Sequence, residues 1–152
     1  MKYLLILLTI FGFLCQPKLK IIDAQSYSWA GGRQESGKGT NYTFKVVAGK
    51  SSEILTIDQL WIGDLYFEVK PQRQLENLSI TNEFDKNDTL IIQVNHRLLP
   101  DESNKLKPAF EFEQIAPPYK YEGKALIGYK KRGKQKYLEV EEIQNQAPKL
   151  YQ

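Results

Sequence analysis

Short runs in which apolar and polar residues alternate with a period of two recur along most of this chain, and they constrain its fold more than any other feature. Tyr42, Phe44 and Val46 alternate with Thr43 and Lys45. Such alternation puts one side-chain set on each face of a half-buried strand. Ile54 to Ile62 is rich in β-branched and aromatic residues. After Gly63-Asp64, Leu65, Phe67 and Val69 alternate with Tyr66, Glu68 and Lys70. Two strands joined by a tight turn are expected there, the second ended by Pro71. Thr89 to Val94 follows the turn residues Asp85-Lys86-Asn87-Asp88, and Phe110 and Phe112 alternate with Glu111 and Glu113. Ala125 to Tyr129 and Lys136 to Val140 flank Lys-Arg-Gly-Lys, a hairpin whose Gly133 is free to take positive φ.

About seven or eight strands at this spacing predict an all-β, antiparallel sandwich of the immunoglobulin-like or a related kind. Trp61, Phe44, Phe67, Leu65, Ile92 and Val94 are the expected core. Trp29 borders a glycine-rich segment and is a candidate for an exposed position at its mouth. Ser26 to Ala30 reads as a weak strand. Gln72 to Glu83 reads as a short helix or irregular crossover, and Leu98 to Pro108 as an exposed loop carrying Pro100 and Pro108.

The chain opens with Met1-Lys2 and a nearly unbroken apolar run from Leu4 to Cys15. A basic start followed by about a dozen apolar residues has the form of a secretory signal, whereas a spanning helix needs about 20. Export to the extracytoplasmic side of a bacterial cell, in the periplasm, at the outer membrane or secreted, is therefore expected. Two endings fit. Cys15 stands where a lipoprotein would carry its lipid, or a cut after Ala24 leaves a soluble protein starting at Gln25. The second ending gives residues 1–24 as signal, 25–143 as the domain and 144–152 as a polar tail. It leaves 18 basic and 17 acidic residues and no cysteine.

With one Cys and one His, the chain offers no disulfide framework, no Cys/His zinc site and no Ser-His or Cys-His triad. His96 sits beside Asn95 and Arg97 and reads as a strand-end polar residue. Asp58, Asp64, Glu68, Asp85 and Asp88 are the carboxylates available to a small hydrolase or lyase, one alternative to a protein without catalytic activity; a membrane-surface protein held by a lipid on Cys15 and the basic hairpin is another. Asp85 to Asp88 lacks the spacing of a calcium loop. No cofactor or metal is expected.

Gly32 to Lys38 fits the pattern G-x-x-x-x-G-K of a phosphate-binding loop. Such a loop must feed a helix, and here Asn41 to Val47 alternates like a strand, so a connection between strands is expected instead. The basic run Lys130, Lys131, Arg132 and Lys134, interleaved with tyrosines, suits an anionic surface or an acidic glycan. Glu139, Glu141 and Glu142 follow it and weaken its field. Taken together, these features predict a binding or structural accessory protein without enzymatic activity. Its candidate surface comprises Trp29, Arg33 and Lys38 of the glycine segment and Lys130, Lys131, Arg132 and Lys134 of the hairpin. The partner would be an envelope protein, a glycan or an anionic surface, not nucleic acid. Membrane contact would come only through a lipid on Cys15 or an uncleaved signal.

Overall fold

The computed structural model describes residues 18–74, 80–109 and 114–151. The described chain is nearly all β, and two sheets pack face to face. The first sheet runs in the order β11-β1-β2-β7-β8, with β12 also on β1. Its long members are β1 (Leu19–Gly31), β2 (Lys38–Ala48) and β7 (Thr89–Pro100). Its short ones are β8 (Leu106–Pro108), β11 (Gln144–Asn145) and β12 (Lys149–Tyr151). The second sheet, β10-β9-β3-β4, is built from β3 (Leu55–Ile62), β4 (Leu65–Glu68), β9 (Ala125–Lys131) and β10 (Lys134–Val140). The remaining pair, β5 (Arg73–Gln74) and β6 (Ile80–Thr81), stands apart.

Alternation explains what lies between the sheets. Phe44, Val46, Leu90 and Ile92 point inward from the first sheet and meet Leu55, Ile57, Leu60, Phe67, Ala125, Ile127 and Val140 from the second, all buried. Leu65 and Val94 pack against this core but stay partly exposed. Trp61 is buried as expected, at 2% exposure, but not between the sheets. Leu60 already faces the core, so its neighbour Trp61 faces out and needs a separate cover.

Several expectations are corrected. Ser26–Ala30 belongs to the longest strand, not a weak one: β1 has 13 residues. A bulge between Ile21 and Asp23 breaks its period, putting Leu19 and Ile21 inward before it and Ala24 and Ser26 after it. Ile22 is left half-exposed. Residues Leu19–Ala24, upstream of Gln25, thus belong to β1. A cut after Ala24 would remove buried Leu19 and Ala24 together with the half of β1 that pairs with Phe44–Ala48. Leu98–Pro108 is a hairpin between β7 and β8 rather than a loop. The polar tail also forms strands, β11 and β12, which pair parallel to β1, so the sandwich is not wholly antiparallel. Ser26 Oγ hydrogen-bonds Asn145 Oδ1 at 2.7 Å, and Gln146 N donates to Ser26 O, fixing the tail in place. The Gln72–Glu83 stretch contributes β5 and β6 where it is described. The apolar run with Cys15, Leu75 and Leu78, and the Phe110–Glu113 alternation lie outside the described residues.

The two sheets differ in length, and that difference positions the site. Strands β1, β2 and β7 have 13, 11 and 12 residues, whereas the longest strand of the second sheet has 8. The first sheet therefore overhangs its partner at one end. Its inward residues there are the polar Ser28, Thr40 and His96.

Candidate functional site

The Gly31–Thr40 segment does not cradle phosphate. After a single 3-10 turn at Gln34–Ser36 the chain enters β2, which runs back antiparallel along β1. A helix N-terminus, the source of the anion-binding amides, does not follow. The turn instead walls a cleft of about 630 Å³ on the outer face of the first sheet.

Register builds this cleft. Trp29 of β1 pairs with Gly39 of β2, which pairs with Arg97 of β7. One step along, Tyr27, Asn41 and Asn95 form the next row on the same face. Parallel pairing of β12 with β1 places Lys149 beside Trp29 and Tyr151 beside Gly31. Gly39 is what lets the indole lie across the sheet. A Cβ there would stand 2.9 Å from Trp29 Nε1 and 2.6 Å from the His96 carbonyl oxygen. Both are closer than real contacts allow.

The groups are held by one another. Trp29 Nε1 donates to Asn95 Oδ1 at 3.4 Å, and the Tyr151 ring meets the indole edge-on at 6.4 Å. Asn41 Nδ2 donates to the Tyr27 hydroxyl at 2.7 Å, and Lys149 Nζ sits 4.1 Å from the Tyr27 ring centre. The hydrogen bond to Tyr27, reinforced by partial burial, raises the pKa of Tyr151 above the ordinary phenol value. The Arg97 guanidinium lies 5.7 Å from the centre of the indole ring and donates through Nη2 to Ser36 O at 3.2 Å. Its Nε is buried and has no acceptor among the described residues. Arg33 stands exposed on the same wall. No Asp or Glu lines the cleft among the described residues.

The structure divides the expected surface. Trp29 and Arg33 come together in the cleft. Lys38 does not join them, because it is one residue from Gly39 and faces the other way. It stands in a row Leu150–Ala30–Lys38–Leu98–Pro108 that crosses five strands of the overhang and lines a separate groove of about 380 Å³. His96 lines that second groove, not the cleft. Lys130, Lys131, Arg132 and Lys134 lie at the opposite end of the molecule. Lys130 is held by Asp58, Nζ to Oδ2 2.6 Å. Arg132 and Gly133 form the β9–β10 turn, both with positive φ.

The other candidate carboxylates are scattered. Asp64 is in the β3–β4 turn, and Glu68 is exposed on β4. Asp85 and Asp88 both ion-pair with Arg73. The Asp85 amide, followed by Arg73, holds the Asp88 carboxyl below its usual range. The described residues contain no cluster of three or more His, Cys, Asp or Glu able to hold a metal, and no helix long and apolar enough to cross a membrane.

Asn95, Arg97, Tyr27, Lys149 and Tyr151 are not among the expected surface residues, and Asn41 stands out in the sequence only as the first residue of a formal N-glycosylation triplet. The signal existed for two of them: in any strand through His96, Asn95 and Arg97 share the face that His96 does not. Nothing local pointed to Tyr151, which joins the cleft through pairing more than a hundred residues away in sequence, or to Lys149 beside it. Comparisons of the chain with protein-family models, with curated proteins and with solved structures find no match.

Proposed function

We propose that this protein is an exported binding module without catalytic activity, and that the Trp29 cleft takes an acidic sugar chain. The cleft itself carries this reading. A partly exposed indole and the Tyr151 ring offer apolar surface to the C–H faces of a pyranose. Asn41 and Asn95 offer amide donors and acceptors to hydroxyls. Arg97 and Arg33 supply positive charge suited to a uronate carboxylate. Export rests on the apolar run from Leu4 to Cys15. The start of β1 at Leu19 favours processing upstream of Lys18, as at Cys15, over a cut after Ala24.

The test is titration of the protein with uronate-containing and neutral oligosaccharides of equal length, followed by tryptophan emission and calorimetry. The acidic series is expected to bind at least about tenfold more tightly, equivalent to ~1.4 kcal/mol. Trp29→Ala and Arg97→Gln are each expected to remove that binding. Equal affinity for the two series, or unchanged binding by Trp29→Ala, would refute the proposal.

A further inference from the structure

At the end of the sandwich farthest from the cleft, three segments distant in sequence converge. Gly49 N donates to Lys18 O at 2.9 Å, bringing the turn after β2 against the start of β1. Arg132 N donates to Ile54 O at 2.9 Å, bringing the β9–β10 turn against the same segment. Lys18, Lys50, Lys131 and Arg132 therefore crowd one end, with exposed Lys134 beside them. Their mutual repulsion shows in Lys131, whose pKa is lowered by desolvation and then by Lys18, Lys50 and Arg132. Glu53 is the one carboxylate within these segments. In the adjoining turn, Lys86 adds a further cation while Asp85 and Asp88 are engaged by Arg73. Like charges gathered with fewer counter-charges, chiefly exposed Glu53, Glu83 and Asp85, cost stability, and a partner that offsets them relieves it.

Chain direction indicates that partner. β1 starts at this end, directly behind the apolar run, and leads about 40 Å away to the cleft at ~3.3 Å per residue. Cys15 precedes Lys18 by three residues, at most about 10 Å of extended chain. Anything that holds the run or Cys15 in a bilayer keeps these cations within about one screening length of its surface at physiological salt, ~8 Å.

We infer that the Lys18, Lys50, Lys131 and Arg132 end docks on anionic lipid headgroups, standing β1 upright and presenting the Trp29 cleft away from the membrane. This docking is independent of what the cleft binds. Each cation near an anionic leaflet strengthens association by roughly fivefold.

Lysine acetylation footprinting of the full chain reconstituted on vesicles tests it. On phosphatidylcholine vesicles containing about 30% phosphatidylglycerol, Lys50, Lys131 and Lys134 should acetylate at least about fivefold more slowly than on pure phosphatidylcholine. Lys38 and Lys149, at the cleft end, should react equally on both. The protection should vanish at about 1 M salt, where the screening length falls to ~3 Å, and should weaken at Lys131 in Lys50→Glu/Lys134→Glu. Equal reactivity on the two vesicles, or protection of Lys38 and Lys149 instead, overturns the docking. So does protection reproduced by inorganic phosphate without vesicles, which would assign the cluster to a discrete anion.

Discussion

The two tryptophans occupy equivalent settings and differ in one respect. Each lies on the outward face of its sheet, across a glycine of the neighbouring strand. Trp29 covers Gly39, and the Trp61 ring would stand 3.2 Å from a Cβ on Gly128. Trp61 is then roofed. Its Nε1 donates to Ile115 O at 2.9 Å, Tyr66 and Tyr137 pack on it at 5.3 and 6.1 Å, and Tyr119 packs on Tyr137. Tyr121 ties the roof down by donating to Gly63 O at 3.0 Å. Trp29 has no such roof among the described residues. Tyr151 meets it edge-on, Arg97 lies 5.7 Å from its ring centre, and its N–H bond to Asn95 is longer, at 3.4 Å. The same local device forms a second core when a loop closes over it and leaves a cleft when it stays open.

This contrast predicts unequal costs of truncation. Trp61→Ala should lose ~3–5 kcal/mol, because it deletes a fully buried ring and leaves a cavity under the roof. Trp29→Ala should lose about 1 kcal/mol or less, since water already reaches one side of the indole. Urea unfolding of both variants measures the gap. Comparable losses would mean that the open cleft is a structural element, and iodide quenching stronger at Trp61 than at Trp29 would say the same.

The glycines give a finer test. Gly39→Ala and Gly128→Ala each force a methyl into occupied space and should each cost ~1–3 kcal/mol. Only Gly39→Ala should shift Trp29 emission and abolish uronate binding. If Gly128→Ala also abolished binding, the two outer faces would be coupled through the core rather than independent.

The smallest effect expected is on the open sheet's hairpin tip. Asp101 accepts from Lys107 Nζ at 2.8 Å, from the Ser103 hydroxyl at 2.7 Å and from the Ser103 and Lys105 amides. These bonds, that from Lys107 foremost, hold its carboxyl far below the usual range. A depressed folded pKa stabilises the hairpin above the unfolded value, ~3.9, and that contribution fades as pH falls below it. The amide shifts of Ser103 and Lys105 should therefore keep their neutral-pH positions as pH falls past ~3.9, moving only in stronger acid. A midpoint near the ordinary value would show that the tip is not held by Asp101.

Strands with unbroken alternation were legible in the sequence. Phe44, Val46, Leu90 and Ile92 each face the core because neighbours two apart share a face, and that requires no knowledge of the partner strand. β1 was poorly legible because the bulge at Ile22 shifts its period midway, so Lys-Ile-Ile-Asp-Ala matches neither face throughout. That Trp29 and Arg33 lie together was legible because they flank the same short turn. Arg97 and Tyr151 come from strands far along the chain, and no local pattern links them to Trp29.

The sequence by itself determined the layered β architecture, because a period of two with large apolar residues on one side must bury that side against another sheet. It also determined the basic β9–β10 turn, which needs only Arg132-Gly133 to form. Tertiary structure alone decided which tryptophan is covered and that the polar tail completes the cleft by pairing with β1. It likewise decided that Lys18 and Lys50 gather at Lys131. Each of these depends on register between distant strands, and one residue of slip would send every one of those side chains to the opposite face.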